Sequence, residues 1–190
     1  MKETHLEELK TFAKTHYQNH WSGTPFPERQ CLRWAIAGLL AWDELRGKSE
    51  PLVIQAGTAS WRFAGDEDTD GPTHFTYLWD DASFVERYRD ELSPEWHVWL
   101  ASPSQGKVFD LTTGFQPQRL KERAPGAEWL PSYELPDALV LGAEELHSSD
   151  GRYTYLPAKV ATIYALTGAA TLLKDAGFNN YDILELLCRK

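Results

Sequence analysis

The sequence has few cysteines, a shortage of positive charge and no long hydrophobic run. Only Cys31 and Cys188 occur among 190 residues, too few for the disulfide framework of a small secreted domain, so we expect free thiols in a reducing cytoplasm. Lys and Arg number 19 against 28 Asp and Glu, a net charge of −9, which disfavours nucleic acid and anionic membranes as partners. The longest uncharged stretch, 160–173, is too short to cross a bilayer, and the N-terminal residues lack the apolar core of a signal peptide.

The rest of the composition is that of a globular domain, with 42% hydrophobic and 25% charged residues. The length favours one domain over 1–190. The order of the predicted elements is helices, strands, helices, which indicates an α+β fold rather than alternating α/β. Helical periodicity predicts helices over 3–18, 29–46, 158–176 and 181–189, and β-branched and aromatic runs predict strands over 51–56, 73–79, 96–101 and 107–111. A helical turn is predicted at 82–92, and the proline-containing stretch from Gly114 to the helix at 158 is predicted to be irregular.

Cys31 is the first candidate for chemistry. It is predicted to lie in the first turn of a helix, where the positive end of the helix dipole favours the reactive thiolate form. Arg29 and Arg33 add positive charge on either side. A free cysteine is often a small core hydrophobe, so this residue alone does not establish a nucleophile.

His97 and Asp110 are candidates to assist it, because they lie on consecutive predicted strands joined by the turn 102–106. A hairpin centred on Ser104 places position 97 opposite position 111, so a shift of one residue would bring imidazole and carboxylate side by side. The carboxylate could then hold one ring nitrogen while the other faces a sulfur. In a second interpretation Asp110 merely begins a turn, but a carboxylate in an apolar strand needs a partner.

These residues together resemble the transglutaminase-like branch of the papain-like cysteine enzymes. In that superfamily a cysteine at a helix start is followed by a His-x-Trp strand and an Asp-x-Thr strand. This chain has Cys31, then His97-Val98-Trp99, then Asp110-Leu111-Thr112. The resemblance covers about 25–114. It implies a papain-like core with N-terminal helices packed on an antiparallel sheet, and it leaves 115–190 as a helical C-terminal extension.

The resemblance implies acyl transfer from a peptide, protein or small amide substrate, with no cofactor and no metal. Cys31 would attack the carbonyl carbon, protonated His97 would donate to the leaving amine, and Asp110 would fix the imidazole. The chemistry could be that of a peptidase, an amidase, a deamidase or a transglutaminase, and the sequence does not choose among them.

Five further residues are predicted around this chemistry. The backbone amide of Cys31 would donate to the oxyanion, with Gln18 and Trp21 as weaker candidates for the second donor. Trp34, Trp61 and Trp99 are predicted to line a substrate groove. The alternative interpretation of these aromatic residues is that they form the core and its rim.

Other interpretations stay open. The interval from Cys31 to His97 is longer than in compact members of the superfamily, which makes His74, with Asp80 or Asp81, a rival pair. The acidic loop 65–71 lacks the closing glutamate of a calcium loop, and the i,i+4 pair His16 and His20 lacks further zinc ligands.

The competing class of function is a non-catalytic binding or scaffold protein that keeps the same fold, and a third possibility is an effector that deamidates a host protein. The oligomeric state is not assigned.

Overall fold

A computed structural model describes residues 3–23, 30–47, 50–62, 74–79, 96–116, 138–146 and 152–189. Within these ranges the fold is α+β, with five helices and a six-stranded antiparallel sheet. The helices are α1 (Glu3–Trp21), α2 (Gln30–Arg46), α3 (Ala143–Leu146), α4 (Lys159–Asp175) and α5 (Asn180–Leu187). The strands are β1 (Val53–Arg62), β2 (His74–Tyr77), β3 (His97–Ser102), β4 (Lys107–Asp110), β5 (Leu139–Leu141) and β6 (Tyr153–Pro157).

The α+β class and the antiparallel sheet are confirmed, and so are the four long helices and four of the strands. The prediction of irregular structure after Gly114 is wrong where β5, α3 and β6 form. These elements have three to five residues, too short for periodicity to mark them, and the two strands are stabilised by pairing with longer neighbours. The helical turn predicted at 82–92 and the acidic loop 65–71 lie outside the described residues.

Strand β1 organises the sheet, because it pairs with β2, β3 and β6. The sheet order is β2-β1-β3-β4-β5, and β6 pairs with β1 outside this path. Gly57 in β1 lies opposite both His97 of β3 and Pro157 of β6. A Cβ atom at Gly57 would meet the backbone oxygen of Leu156 at 2.2 Å. The absence of a side chain at Gly57 therefore allows β6 to approach the start of β3.

The two faces of the sheet carry different cores. One face packs against the helices, and α2 approaches β3 so closely that a Cβ atom at Gly38 would lie 2.7 Å from Leu100 Cδ1. The other face carries a second cluster, half of it aromatic, which we call the aromatic cluster: Ala59, Trp61, Tyr77, Trp99, Val108, Leu139, Leu141 and Tyr155. This packing holds the helix that carries Cys31 against the sheet that carries His97 and Asp110.

In the described part of the chain, no helix combines the length and the apolar character that a bilayer-spanning helix requires.

Candidate active site

His97 and Asp110 are hydrogen-bonded to each other in the interior. His97 Nε2 lies 2.7 Å from Asp110 Oδ2, and both residues are 1% exposed. The hairpin register differs by one residue from the predicted one, because Ser102 pairs with Lys107 across an even, four-residue loop in which Gly106 takes a φ of +61°. Continuing the ladder places Asp110 opposite Trp99, so the carboxylate reaches the imidazole along the diagonal of one sheet face.

Asp110 accepts hydrogen bonds on both carboxylate oxygens. Oδ1 accepts from Thr112 N at 2.9 Å and from Thr112 Oγ1 at 2.7 Å. Oδ2 accepts from His97 and from the Tyr155 hydroxyl at 2.8 Å. Burial alone would raise the pKa of Asp110, but the charge of His97 and these hydrogen bonds outweigh it and hold the pKa below the usual 3.8. The carboxylate is therefore ionised and fixed in place.

Tyr155 is the residue that sequence reasoning missed. It lies in β6, 45 residues after Asp110, and its hydroxyl also accepts a hydrogen bond of 2.9 Å from Trp61 Nε1. Burial and the adjacent Asp110 charge raise the pKa of Tyr155 well above 10.0, so the hydroxyl remains a donor. The alternating Tyr-Thr-Tyr at 153–155 is a strand signal, but nothing local in it indicates a carboxylate partner.

Aromatic rings surround the His97 imidazole. Tyr77 stacks on it at a centroid distance of 5.3 Å, and Trp61 meets it edge-on at 5.1 Å. Trp99 is also stacked, at 6.3 Å. The Tyr77 hydroxyl donates to Gln116 Oε1 at 3.2 Å, which fixes the stacked ring. Aromatic faces attract a cation, so this enclosure suits an imidazolium.

His97 is protonated at neutral pH. Burial alone would lower its pKa, but the charge and hydrogen bond of Asp110, followed by the hydrogen bond and charge of Cys31, outweigh burial and raise the pKa to about 10. Asp110 therefore has a positively charged partner throughout the physiological range.

Cys31 completes the arrangement from the first turn of α2. Its side chain lies near enough to His97 to interact with the imidazole and raise its pKa. Because Nε2 is bound to Asp110, Nδ1 is the ring nitrogen left for the thiol. Cys31 is partly exposed and not in a disulfide, whereas His97 and Asp110 are buried. The structure thus brings together the three residues predicted as a catalytic set, and Cys31 is the one that solvent partly reaches.

The residues predicted around Cys31, His97 and Asp110 differ in their exposure to solvent. Gln18 is exposed on α1, and Trp21 is 7% exposed, with its ring edge-on to Tyr17 at 6.0 Å. The groove prediction is contradicted for Trp61 and Trp99, which are 0% and 1% exposed. Both side chains point from adjacent strands into the aromatic cluster rather than toward solvent.

Trp34 differs from these two. It is partly buried, and its ring stacks on Tyr17 at 4.8 Å and contacts Phe115 at 5.8 Å. It follows Cys31 by three residues on α2, so it lies beside the thiol on the helix surface.

The alternative candidates, His74 for catalysis and His16 for zinc binding, lie elsewhere in the sequence. His74 begins β2, where its backbone lies opposite Arg62, and Asp80 and Asp81 lie outside the described residues. His16 Nε2 lies 3.1 Å from a Glu44 carboxylate oxygen. Among the residues that the structure describes, no group of three His, Cys, Asp or Glu side chains is arranged to hold a metal ion.

The site combines a partly exposed thiol with a buried imidazolium that is hydrogen-bonded to a carboxylate. These are the groups that nucleophilic attack on a carbonyl carbon requires. Comparison of the chain with protein-family models, with curated proteins and with solved structures finds no match. Function is therefore inferred from the chemistry of Cys31, His97 and Asp110.

Proposed function

We propose that this protein is a cysteine-dependent acyl-transfer enzyme that acts on an amide. Cys31 is the nucleophile, His97 the acid and base, and Asp110 the group that orients His97. The observation that carries the proposal is the 2.7 Å contact between His97 and Asp110, and the influence of Cys31 on the pKa of the imidazole supports it. A cysteine helix packed against an antiparallel sheet supports a papain-like, transglutaminase-like core.

In the first half of the reaction the Cys31 thiolate forms a bond to the carbonyl carbon of the amide. The electron pair of the carbonyl moves to its oxygen, where the backbone N–H of Cys31 at the start of α2 donates. The C–N bond then breaks, and the proton on His97 Nδ1 goes to the leaving nitrogen. The products of this half are an amine and a thioester on Cys31.

In the second half an acceptor cleaves the thioester. Neutral His97 takes a proton from water or from an amine, the acceptor attacks the carbonyl carbon, and the thiolate leaves. Water gives hydrolysis or deamidation, and an amine gives transfer. In both cases His97 returns to the imidazolium form, because Asp110 stabilises that charge.

A cytoplasmic location is part of the proposal. The nucleophile must be a free thiol, and a reducing compartment preserves thiols. Both Cys31 and Cys188 are free.

The first test measures alkylation of Cys31 by iodoacetamide at pH 6. The Cys188→Ser substitution is present throughout, so that the measured rate is that of Cys31 alone. An ordinary thiol has a pKa of about 8.5 and is less than ~1% ionised at this pH. We expect Cys31 to react about 10-fold faster than glutathione, or more, and His97→Gln to remove the acceleration.

His16→Gln is the matched control, since His16 pairs with Glu44 on the helices and should leave the rate unchanged. A rate equal to that of glutathione, and the same in His97→Gln, would contradict the proposal. Incubation with a peptide library, read by mass spectrometry, then distinguishes cleavage, deamidation and cross-linking.

A further inference from the structure

Within the part of the chain that the structure describes, four buried side-chain atoms in the first turns of α2, Arg33 Nε among them, lack the hydrogen bonds that buried groups normally make. Gln30, immediately before Cys31, is 7% exposed, and neither its Oε1 nor its Nε2 has a partner among the described residues. Trp34 Nε1 is buried and likewise unpartnered within those ranges. About 90% or more of buried polar groups in folded proteins are paired. Four unpaired atoms close to one thiol therefore indicate a missing ligand, and three of the four belong to Gln30 and Trp34.

Helix geometry places these atoms together. Trp34 follows Gln30 by four residues and Cys31 by three, and both spacings bring side chains to neighbouring positions on a helix surface. Long side chains on a helix lean toward its N-terminus, so the indole of Trp34 covers the turn that carries Gln30 and Cys31. Contacts with Tyr17 and Phe115 hold the indole ring. Cys31 and Trp34 are themselves only partly buried, so a ligand can approach from their side.

We propose that Gln30 and Trp34 form a subsite that binds an amide group of the substrate next to the Cys31 sulfur. The inference rests on the proposed function and deepens it, because it names two residues that would bind the amide substrate. Gln30 Nε2 and Trp34 Nε1 are donors and Gln30 Oε1 is an acceptor, so together they match the C=O and N–H of a carboxamide or peptide group. An ester or a carboxylate has no N–H to satisfy Gln30 Oε1, and the subsite therefore selects amides.

The unpaired carboxamide of Gln30 also leads to a prediction about stability. An unpaired buried polar group costs free energy, whereas an apolar group of the same shape at the same place does not. Gln30→Met should therefore leave the melting temperature of the free protein unchanged or raise it. The cost in the wild type is recovered when an amide binds.

The experiment compares two alkylating probes, iodoacetamide and iodoacetonitrile, which share a leaving group but differ in the amide. Rates are measured at pH 6 on the full chain in the Cys188→Ser background, each divided by the rate of glutathione with the same probe. We expect the amide probe to be preferred, and the preference to fall about 3- to 10-fold in Gln30→Met and in Trp34→Phe, as expected for lost hydrogen bonds. Gln105→Met is the matched control, because Gln105 is exposed in the β3–β4 turn.

Each other outcome has a distinct meaning. If both probes react fast and the ratio is the same in Gln30→Met and Trp34→Phe, the subsite is refuted while the nucleophile stands. If neither probe reacts faster than with glutathione, the proposed function itself fails, and the subsite with it. A lower melting temperature in Gln30→Met also refutes the subsite, because the carboxamide would then be satisfied in the free protein.

Discussion

Among single residues, Asp110 has the most demanding surroundings. It is a fully buried carboxylate that accepts from His97, from Tyr155 and twice from Thr112. A buried charge is stable when it is paired and its lone pairs are satisfied. Each of these donors therefore contributes both to holding the carboxylate ionised and to aiming it at the imidazole.

Replacement of Tyr155 by Phe removes one donor and keeps the ring. The Tyr155 hydrogen bond helps to hold the pKa of Asp110 down, so its loss raises that pKa. Protonation of Asp110 removes the charge that sustains the imidazolium, so the acid limb of the Cys31 alkylation profile should move to higher pH. At neutral pH we expect a rate about 5-fold lower, in keeping with ~1 kcal/mol for one hydrogen bond.

Tyr153→Phe is the control, since it alters a tyrosine two residues earlier in the same strand. Superimposable pH profiles for Tyr155→Phe and the wild type would show that the hydroxyl does not position Asp110.

Sequence reasoning was able to find His97 and Asp110 because their relation is local. Two short strands joined by a tight turn bring them together, and alternation of side chains places them on one face. Tyr155 reaches Asp110 only through the pairing of β6 with β1, which no nearby residue encodes. The unpaired state of Gln30 is a property of the packed interior, so no pattern in the chain reveals it.

Among the elements, β1 joins the N-terminal and C-terminal parts of the site. It pairs with β3, which carries His97, and with β6, which carries Tyr155. Gly57 is the position at which both partners meet. The close approach of β6 to β1 places the Tyr155 hydroxyl within hydrogen-bonding distance of Asp110 on β4.

Gly57→Ala should therefore damage both stability and reactivity. The new Cβ would lie 2.2 Å from Leu156 O and 2.8 Å from Ala158 N, and backbone atoms cannot move aside as a flexible side chain can. We expect a loss of about 2 kcal/mol or more in the free energy of unfolding by urea, and slower alkylation of Cys31. Gly23→Ala is the control, because a Cβ there meets nothing within 4 Å. Equal stability of the two variants would contradict this account of the β1–β6 contact.

The length of β1 shows that strand propensity alone does not predict where a strand ends. The strand was predicted to end near Ala56, because Gly57, Thr58, Ala59 and Ser60 are mostly small residues that do not favour a strand on their own. Pairing with β2 and β6 continues it to Arg62. For the four long helices, whose apolar periodicity extends over many residues, the predicted bounds are close to those observed.

For the molecule as a whole, the segment after Gly114 belongs to the same sheet as the earlier strands. It supplies β5 beside β4 and β6 beside β1. Near its end, the Arg189 guanidinium pairs with both carboxylate oxygens of Asp43 on α2. The resemblance to the transglutaminase-like enzymes covers about 25–114, whereas Tyr155, which donates to Asp110, lies beyond that range.

Global stability should depend on pH through the His97–Asp110 pair. The raised pKa of His97 contributes stability that is fully present below pH 6.5 and is lost as the pH rises toward about 10. The lowered pKa of Asp110 contributes stability that is present above pH 3.8 and is lost as the pH falls below it. In urea denaturation, the stability gap between the wild type and His97→Gln should narrow steadily from pH 7 to pH 10. A gap that stays constant over this interval would show that the imidazole is not held in its charged form.

The burial of the His97 imidazole limits which acids and bases can exchange protons with it. His97 is 1% exposed, whereas Cys31 is partly exposed. In the proposed reaction, small bases and acids dissolved in the medium cannot compete with the bound amine or water for the ring proton. Turnover should consequently be indifferent to the concentration of the buffer at fixed pH and ionic strength.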